Sequence, residues 1–246
     1  FIVKYPIANW KMNLINSKSW ILEFNKNLNS FNLSEDLKIV ICPNYVQLSE
    51  FTKNFSAKIK LSIGAQNVSE KNSGAFTGEV SAEHLSEISK IDFCIIGHSE
   101  RRCLGETDEI IKGKVKQLLS KNITPIICVG ESHEIQEKGE TEKFLSSQLE
   151  LIIKDQNLDI NSCIFAYEPL WAIGKGVPAD LKLINSSISH IKSIFNSNNL
   201  DLDILYGGSV DSKNSREILS VDNVSGLLVG NSSLDGKEFA NIAKNF

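Results

Sequence analysis

The sequence predicts an α/β protein built as a single (β/α)₈ barrel. Eight short apolar runs recur along the 246 residues, and each is almost continuously hydrophobic, as parallel strands buried on both faces must be. Segments with helical periodicity lie between several of these runs, and a helix-length crossover is the expected connection between parallel strands. Eight strand-plus-helix units in about 250 residues are typical of this barrel, so we expect residues 1–246 to form one domain.

The predicted strands are, in chain order, KYPIANW, KIVICP, KLSIGAQ, DFCIIG, TPIICVG, CIFAYE, DILYGG and GLLVG. Near its end each run has Gly, Asn, Gln, Glu or Pro, residues that are typical of a chain leaving the core. Two prolines, Pro6 and Pro125, lie inside the first and fifth runs. They weaken those two assignments, because proline cannot donate a hydrogen bond to a neighbouring strand.

Helical periodicity is clearest in Ala179–Phe195, where apolar residues recur on one face behind Pro178. The segments Ser17–Leu28 and Glu109–Leu119 show the same pattern. An open, doubly wound sheet is the rival architecture, but it would usually carry a glycine-rich turn after its first strand. The sequence NWKMN stands at that place instead, which favours the barrel.

Composition argues against two classes of partner. The net charge of −4 offers no basic field for nucleic acid, and an anionic ligand would need a local positive site. No apolar stretch approaches the roughly 20 residues that a membrane helix needs. The opening FIVKYPIANWK does not have the pattern of a signal peptide. The five cysteines show no CxxC pairing and mostly lie in apolar runs, which indicates reduced thiols and a cytoplasmic protein.

Candidate functional residues follow three of the predicted strands. The active site of such a barrel lies at the carboxyl ends of its strands. Strand one ends near Asn9 and Lys11, strand four near His98, and strand six at Glu168. Pro169 and a loop with two glycines follow Glu168, an arrangement typical of a base that works under a mobile lid. Each of these residues taken alone is as well explained by a structural or surface role, so the argument depends on their combination.

Glycine-containing turns follow the last two predicted strands, in YGGSV and VGNS. Backbone N–H groups in such turns can point at an anion, and barrels often bind phosphate in the loops after strands seven and eight. A cation, a histidine, a carboxylate and an anion site at one end of a barrel favour proton abstraction next to a carbonyl on a small phosphorylated molecule.

The motifs NWKMN, GAFTGEVS, GHSERR, AYEPLWAIGKG, YGGSV and GLLVGNSSL occur in this order from one end of the chain to the other. With them the chain resembles the triosephosphate isomerase family. The resemblance implies a TIM barrel that interconverts dihydroxyacetone phosphate and D-glyceraldehyde 3-phosphate through an enediol(ate), in glycolysis and gluconeogenesis, without a cofactor or a metal. It also implies that Glu168 is the general base and that a neutral His98 is the electrophile, as in the family's known acid–base pair.

The resemblance assigns substrate binding as well. Asn9 and Lys11 match the family's substrate contacts, and Glu100 is expected to pair with Lys11. Cys128 is expected only to pack behind the base. The lid matches Pro169–Gly176. The phosphate would be bound by Gly174, Ser209, Gly230 and Asn231.

The chain departs from the family pattern at two positions. Asn231 stands where the family usually has a second glycine. Because Asn tolerates a positive φ better than most residues, we expect its N–H still to face the phosphate, with slightly looser binding. Lys175 stands in the lid where a small hydroxyl residue is common. Lys175 is expected to change the rate at which the lid closes, but not the proton transfer itself.

The segment Gln66–Ser81 is long for a barrel loop. Composition alone favours a surface loop, but in the family this loop inserts into a neighbouring subunit, with the residue at Thr77 near the other active site. We therefore expect a homodimer. Two other functions stay open: an aldolase that forms a Schiff base at Lys11, and a non-catalytic barrel that binds sugar phosphates or docks to other proteins.

Overall fold

The computed structural model describes residues 3–28, 36–54, 61–87, 91–173 and 179–246. Eight parallel strands form a closed barrel in which each strand pairs with the next and the last pairs with the first, so the predicted architecture is confirmed. The strands are β1 Tyr5–Asn9, β2 Ile39–Cys42, β3 Leu61–Ala65, β4 Ile91–Ile96, β5 Thr124–Val129, β6 Ile164–Tyr167, β7 Asp203–Tyr206 and β8 Val224–Val229.

Both strand assignments that proline weakened are present. Pro6 pairs in register with Leu227 of β8, and Pro125 pairs with Cys94 of β4. Each proline is the second residue of its strand. A hydrogen bond lost near the beginning of a strand is tolerated better than one lost at its centre, and the rest of each strand keeps its pairing.

The described part of the chain contains the following α-helices: α1 Ser17–Leu28, α2 Tyr45–Asn54, α3 Ala82–Glu87, α4 Ser99–Cys103, α5 Asp108–Leu119, α6 His133–Glu137, α7 Thr141–Ile153, α8 Leu181–Ser197, α9 Ser215–Leu219 and α10 Gly236–Ala243. Short 3₁₀ turns span Ile160–Ser162, Leu170–Ala172 and Asn231–Leu234. None of the described helices has the length and apolar character required to cross a membrane.

The three predicted helices are confirmed, with small changes at two of their first residues. Helix α1 has the predicted bounds. Helix α5 begins at Asp108, where the Thr107 side chain accepts a hydrogen bond from the Ile110 N–H. Helix α8 begins at Leu181 because the carboxylate of Asp180 caps it. Pro178, which the sequence pattern placed at this helix start, lies outside the described residues.

Two apolar layers explain why the strands are hydrophobic throughout. One side of each strand fills the barrel interior, with Ile7, Val40 and Phe93 among the residues there. The other side packs against the helices, where the rings of Trp10, Trp20, Phe24, Phe51 and Phe239 form one cluster. Burying one large apolar side chain contributes about 1.5–3 kcal/mol, so both layers stabilise the barrel.

All five cysteines are free thiols. Cys42, Cys94, Cys128 and Cys163 are buried, whereas Cys103 is exposed at the end of α4. Burial raises the pKa of the Cys163 thiol to about 12, and it raises the pKa of the other three buried thiols further. These groups therefore behave as small apolar side chains at neutral pH.

Candidate active site

The loops at the carboxyl ends of the strands enclose a cavity of about 520 Å³. Every site residue that the sequence predicted and the structure describes lines this cavity: Asn9, Lys11, His98, Glu168, Ser209, Gly230 and Asn231. The predicted phosphate contact Gly174 lies outside the described residues, as does Lys175. The parallel arrangement brings these side chains together, since all the strands end at the same rim of the barrel.

Glu168 follows the last residue of β6 and is only 2% exposed. Its backbone N–H donates to Val129 O at 2.8 Å, which continues the pairing of β6 with β5 by one residue. Its carboxylate Oε1 lies 3.2 Å from His98 Nε2. The other oxygen, Oε2, is buried and makes no hydrogen bond of ordinary geometry with any described residue. A buried carboxylate oxygen without a partner is an acceptor available for a proton.

The pKa of Glu168 results from opposing effects. Burial raises it, but the charge and hydrogen bond of His98 lower it more, and the net direction is downward from the ordinary value of 4.5. The weak S–H donor of Cys128 and the ammonium of Lys11 act in the same lowering direction. Glu168 is therefore a carboxylate at neutral pH, as a general base must be.

His98 forms the N-cap of α4. Its Nδ1 accepts a hydrogen bond from the Glu100 backbone N–H at 3.2 Å, so Nδ1 carries no proton in this arrangement. The proton of the neutral ring then lies on Nε2 and points toward Glu168. The sequence carries a signal for this geometry, because the segment SERR directly after His98 places an acidic residue where the first turn of a helix favours one.

The pKa of His98 is likewise set by opposing effects. Burial lowers it, the Glu168 carboxylate raises it more, and the net direction is upward from the ordinary value of 6.5. The backbone of α4 opposes that trend, because an imidazolium ion would lose the hydrogen bond from Glu100 N–H. The upward shift thus depends on a negative charge at Glu168 and loses its cause when that carboxylate is protonated.

Lys11 is positioned by its backbone as well as by its side chain. Its φ of 51° lies in the left-handed region, which is unusual for a residue with a side chain. Its N–H donates to Asn9 Oδ1 at 3.0 Å, and its carbonyl accepts from Gln66 Nε2 at 3.0 Å. Its ammonium donates to Glu100 Oε1 at 2.6 Å, the pairing that the resemblance implied.

The turns after β7 and β8 also line the cavity. Lys11 lies close to Gly230: a Cβ added at Gly230 would be 3.4 Å from Lys11 Cε. A cation and a backbone turn therefore meet in one place. The Trp20 indole donates to Ser233 O at 2.9 Å, so α1 supports the turn after β8 from behind.

The segment between β6 and α8 is tied to the turn after β7 at two points. Ser209 Oγ donates to Ala172 O at 2.8 Å, and the Ala179 N–H donates to Tyr206 Oη at 3.1 Å. These two contacts lie on either side of residues 174–178, which the structure does not describe. One residue inside the predicted lid and one beyond it are thus in contact with the YGGSV segment.

Four polar residues in the cavity were missed as site residues by sequence reasoning: Asn13, Asp211, Asn214 and Ser232. Asn214 Nδ2 donates to Ser209 O at 3.2 Å, and Asn214 Oδ1 accepts from the Asp211 N–H at 3.0 Å. Asp211 Oδ1 accepts in return from the Asn214 N–H at 2.9 Å. The only available signal was the spacing Asp-x-x-Asn directly after a glycine turn, which is typical of side chains that shape a loop.

Gly207 gives the Glu168 side chain its space. A Cβ added at Gly207 would be 2.7 Å from Glu168 Cγ and 3.1 Å from its Oε1, closer than real atoms pack. The first glycine of the YGGSV motif is therefore required by the base on the neighbouring strand, in addition to any function in binding an anion.

Comparison with known proteins agrees with this geometry. A sequence model described as triosephosphate isomerase matches residues 4–246. The chain belongs to the triosephosphate isomerase family. It is 40% identical to a triosephosphate isomerase of Mesomycoplasma hyopneumoniae strain 232, over 98% of this chain and 99% of that one.

Relatives in other bacteria are similar over comparable lengths. A triosephosphate isomerase of Francisella philomiragia is 37% identical over 97% of this chain and 95% of its own. One from Dehalococcoides mccartyi strain BAV1 is 39% identical over 96% of this chain and 94% of its own. The resemblance that six sequence motifs indicated is thus confirmed as membership of the triosephosphate isomerase family.

Proposed function

We propose that this protein interconverts dihydroxyacetone phosphate and D-glyceraldehyde 3-phosphate, as the names of its relatives imply, and that it serves glycolysis and gluconeogenesis. The observation that carries the proposal is the contact of 3.2 Å between Glu168 Oε1 and His98 Nε2, inside a cavity that also contains Lys11 and two glycine turns. A buried base and a hydrogen-bond donor then act on adjacent carbons of one small substrate.

The proposed reaction begins with Glu168. Its carboxylate removes a proton from the carbon next to the carbonyl. The electron pair of that C–H bond forms the carbon–carbon double bond, and the π pair of the carbonyl moves to its oxygen. The Nε2–H of His98 stabilises this oxygen as an enediolate and passes a proton to it, and Nε2 then takes the proton of the neighbouring hydroxyl group. Glu168 returns the first proton to the adjacent carbon as the second oxygen becomes the new carbonyl.

The electrostatics of the pair support this sequence of steps. Glu168 begins as a carboxylate, since its net pKa shift is downward. Once Glu168 has taken the proton, it no longer raises the pKa of His98, and burial together with the N-terminus of α4 favours the neutral ring. A neutral imidazole can then give its Nε2 proton to one oxygen and recover a proton at the same nitrogen from the other.

Substrate binding is proposed for the remaining cavity residues. Lys11 supplies positive charge for the anionic substrate and its enediolate, and Asn9 fixes the lysine backbone through its side-chain oxygen. The turns that contain Ser209, Gly230 and Asn231 are proposed to bind the phosphate through backbone N–H groups. Closure of Pro169–Gly176 would bring Gly174 to the phosphate and exclude water from the enediolate.

We also propose that two copies of the chain form a homodimer through the loop around Thr77. Residues 71–79 are all exposed, and this segment lies outside the barrel's own packing. Met12, Leu14 and Val46 are exposed apolar side chains, and Phe76 is partly exposed, so a second copy would cover apolar surface here. Full activity of a monomer in sizing experiments would contradict this proposal.

We also propose the domain organisation and the cellular location of the protein. Residues 1–246 are taken to form one domain, which is supported by a barrel that runs from β1 to β8 and a family match from residue 4 to residue 246. A cytoplasmic location is supported by the five free cysteines, since reduced thiols are typical of that compartment.

A coupled assay with each triose phosphate in turn tests the activity. The proposal requires that each substrate yields the other, with no added metal or cofactor. Absence of interconversion in both directions would contradict it. The Schiff-base alternative is tested by adding borohydride with substrate: a covalent adduct at Lys11 would favour an aldolase, although the 2.6 Å salt bridge to Glu100 engages the Lys11 nitrogen and argues against one.

A further inference from the structure

Lys11 lies in a loop that the chain itself packs poorly. We call residues 10–16, which connect β1 to α1, the lysine loop. Met12 is 97% exposed and Leu14 is 87% exposed, and Asn13 and Asn16 are exposed as well. Trp10 is buried and Ile15 packs against the core, so apolar packing holds the two ends of this loop. It does little to position residues 11–14 between them, although Lys11 needs an unusual backbone conformation.

Hydrogen bonds from α2 take the place of that packing. Gln47 lies in the first turn of α2 and is only 2% exposed. Its Oε1 accepts from the Ile15 N–H at 3.3 Å, and its Nε2 donates to the Ile15 carbonyl. One buried carboxamide thus satisfies both backbone groups of a loop residue, as a neighbouring strand would.

A second side chain aligns Gln47 and contacts the same loop. Asn44 Oδ1 accepts from the Gln47 N–H at 3.1 Å, and Asn44 Nδ2 donates to Gln47 Oε1 at 3.0 Å. The same Nδ2 group lies 3.1 Å from the Asn13 carbonyl. Asn44 therefore holds the Gln47 side chain in place. Gln47 can position the lysine loop only if its own side chain is held in this way.

We infer that Gln47 is a positioning residue for Lys11, acting through the backbone of the lysine loop. The inference rests on the proposed function, in which Lys11 binds the anionic substrate. Asn9 and Gln66 hold one end of the loop at Lys11, and Gln47 holds the other end at Ile15. Without Gln47 the loop would lose both backbone hydrogen bonds at Ile15 and keep there only the packing of the Ile15 side chain and the contact of Asn44 with the Asn13 carbonyl. The ammonium of Lys11 would then sample positions away from the cavity.

The substitution Gln47→Leu tests this, because it removes both hydrogen bonds at nearly constant side-chain size. A misplaced binding group costs up to about 100-fold, so we expect kcat/KM to fall by about 10- to 100-fold, chiefly through a higher KM. Thr52→Val is the matched control: it lies on the same helix, and its Oγ1 bonds only to Leu48 O within α2. Activity of the control should be unchanged. If Gln47→Leu does not fold, Gln47→Glu keeps the acceptor for the Ile15 N–H, and a smaller loss is expected.

A double-mutant cycle separates positioning from a merely structural effect. Adding Gln47→Leu to Lys11→Ala should cause no further loss of kcat/KM, whereas adding it to Glu168→Asp should cause the full loss. An equal loss in both backgrounds would overturn the inference, as would wild-type kinetics for Gln47→Leu. If Lys11→Ala alone leaves kcat/KM unchanged, the proposed role of Lys11 fails, and this inference fails with it. A large effect of Lys11→Ala with a silent Gln47→Leu overturns the role of Gln47 alone.

Discussion

The two charged side chains at the centre of the cavity are held in different ways. Glu168 directly continues a barrel strand, is buried, and is confined by His98 and Gly207. Lys11 lies two residues after the end of β1, directly after Trp10, in a mostly exposed loop. Side chains of other elements hold this loop by hydrogen bonds, as Gln66 does at the Lys11 carbonyl. Packing positions the first group, and hydrogen bonds position the second.

The two side chains differ in how precisely they must be placed. Groups on strands are held more precisely than groups on loops, and a base must approach one C–H bond within a fraction of an ångström. A cation that stabilises an anion acts over a longer distance and tolerates movement better. We therefore expect changes near Glu168 to lower kcat strongly, and changes near Lys11 to act mainly through KM.

The largest effect is expected for Glu168→Gln, which removes the base at nearly constant volume. Turnover should fall by about 10²–10⁴-fold, the usual contribution of a general base. Binding of inorganic phosphate should persist, because the anion site is not altered. The coupled assay and a phosphate titration measure the two properties. Normal turnover of the variant would show that Glu168 is not the base.

A somewhat smaller effect is expected for His98→Gln. Losing one hydrogen-bond donor to a developing oxyanion costs about 10²–10³-fold in kcat. Steady-state kinetics with either triose phosphate measure the loss, and the thermal unfolding midpoint serves as a control for the fold. If kcat is retained and only KM rises, His98 binds substrate without taking part in the reaction.

Gly207→Ala tests whether packing positions the base. The added Cβ would lie 2.7 Å from Glu168 Cγ, so the carboxylate must move. A displacement of about 1 Å can cost about 100-fold, and we expect a loss of that order in kcat with little change in phosphate affinity. Unchanged kcat would mean that Glu168 tolerates movement, and the contrast with Lys11 would then disappear.

The pH profile offers a finer test of the Glu168–His98 pair. Because the pKa of Glu168 is lowered, protonation of this carboxylate should reduce kcat/KM only below the ordinary value of 4.5. In the wild type, protonation of His98 gives a separate acid limb above the ordinary value of 6.5, because the pKa of His98 is raised. His98→Gln removes that limb. It also removes the main lowering influence on Glu168 and leaves burial, which raises the pKa, so the limb that reports Glu168 should move to higher pH in this variant. A limb that stays in place would mean that His98 does not control the ionisation of Glu168.

The smallest effect is expected for Asn231→Gly, which restores the residue usual in the family. Asn231 lines the cavity beyond Gly230, and only its backbone is proposed to contact phosphate. Asn231 begins a 3₁₀ turn without a positive φ, so its backbone does not need glycine, contrary to the expectation from the family pattern. We therefore expect phosphate affinity to change by less than about 10-fold, with kcat unchanged. A marked loss of affinity would instead indicate that the Asn231 side chain itself binds the phosphate.

Much of the fold was predictable because buried parallel strands must be hydrophobic on both faces. That pattern located all eight strands, although β4 and β8 begin earlier than their predicted runs. The prolines in β1 and β5 were misleading, since their cost depends on position within the strand. The residues with distinctive chemistry, Glu168, His98 and Lys11, were also recognisable from their places at strand ends.

Supporting residues could not be predicted in the same way. Gln47 and Gln66 act through hydrogen bonds to backbone atoms that are distant in sequence, as in the bond from Gln66 to Cys42 O. An amide side chain at such a position has no pattern that separates it from a surface residue. The steric requirement at Gly207 is likewise visible only when the neighbouring strand is in place.

The most direct test of the central claim is isomerisation in D₂O, followed by proton NMR. With dihydroxyacetone phosphate as substrate, the account predicts that both triose phosphates appear and that they acquire carbon-bound deuterium, because Glu168 exchanges its proton with solvent. Glu168→Gln should slow this incorporation by at least about 100-fold. Interconversion without any solvent deuterium at carbon, at the same rate in the wild type and the variant, would contradict a proton transfer through Glu168.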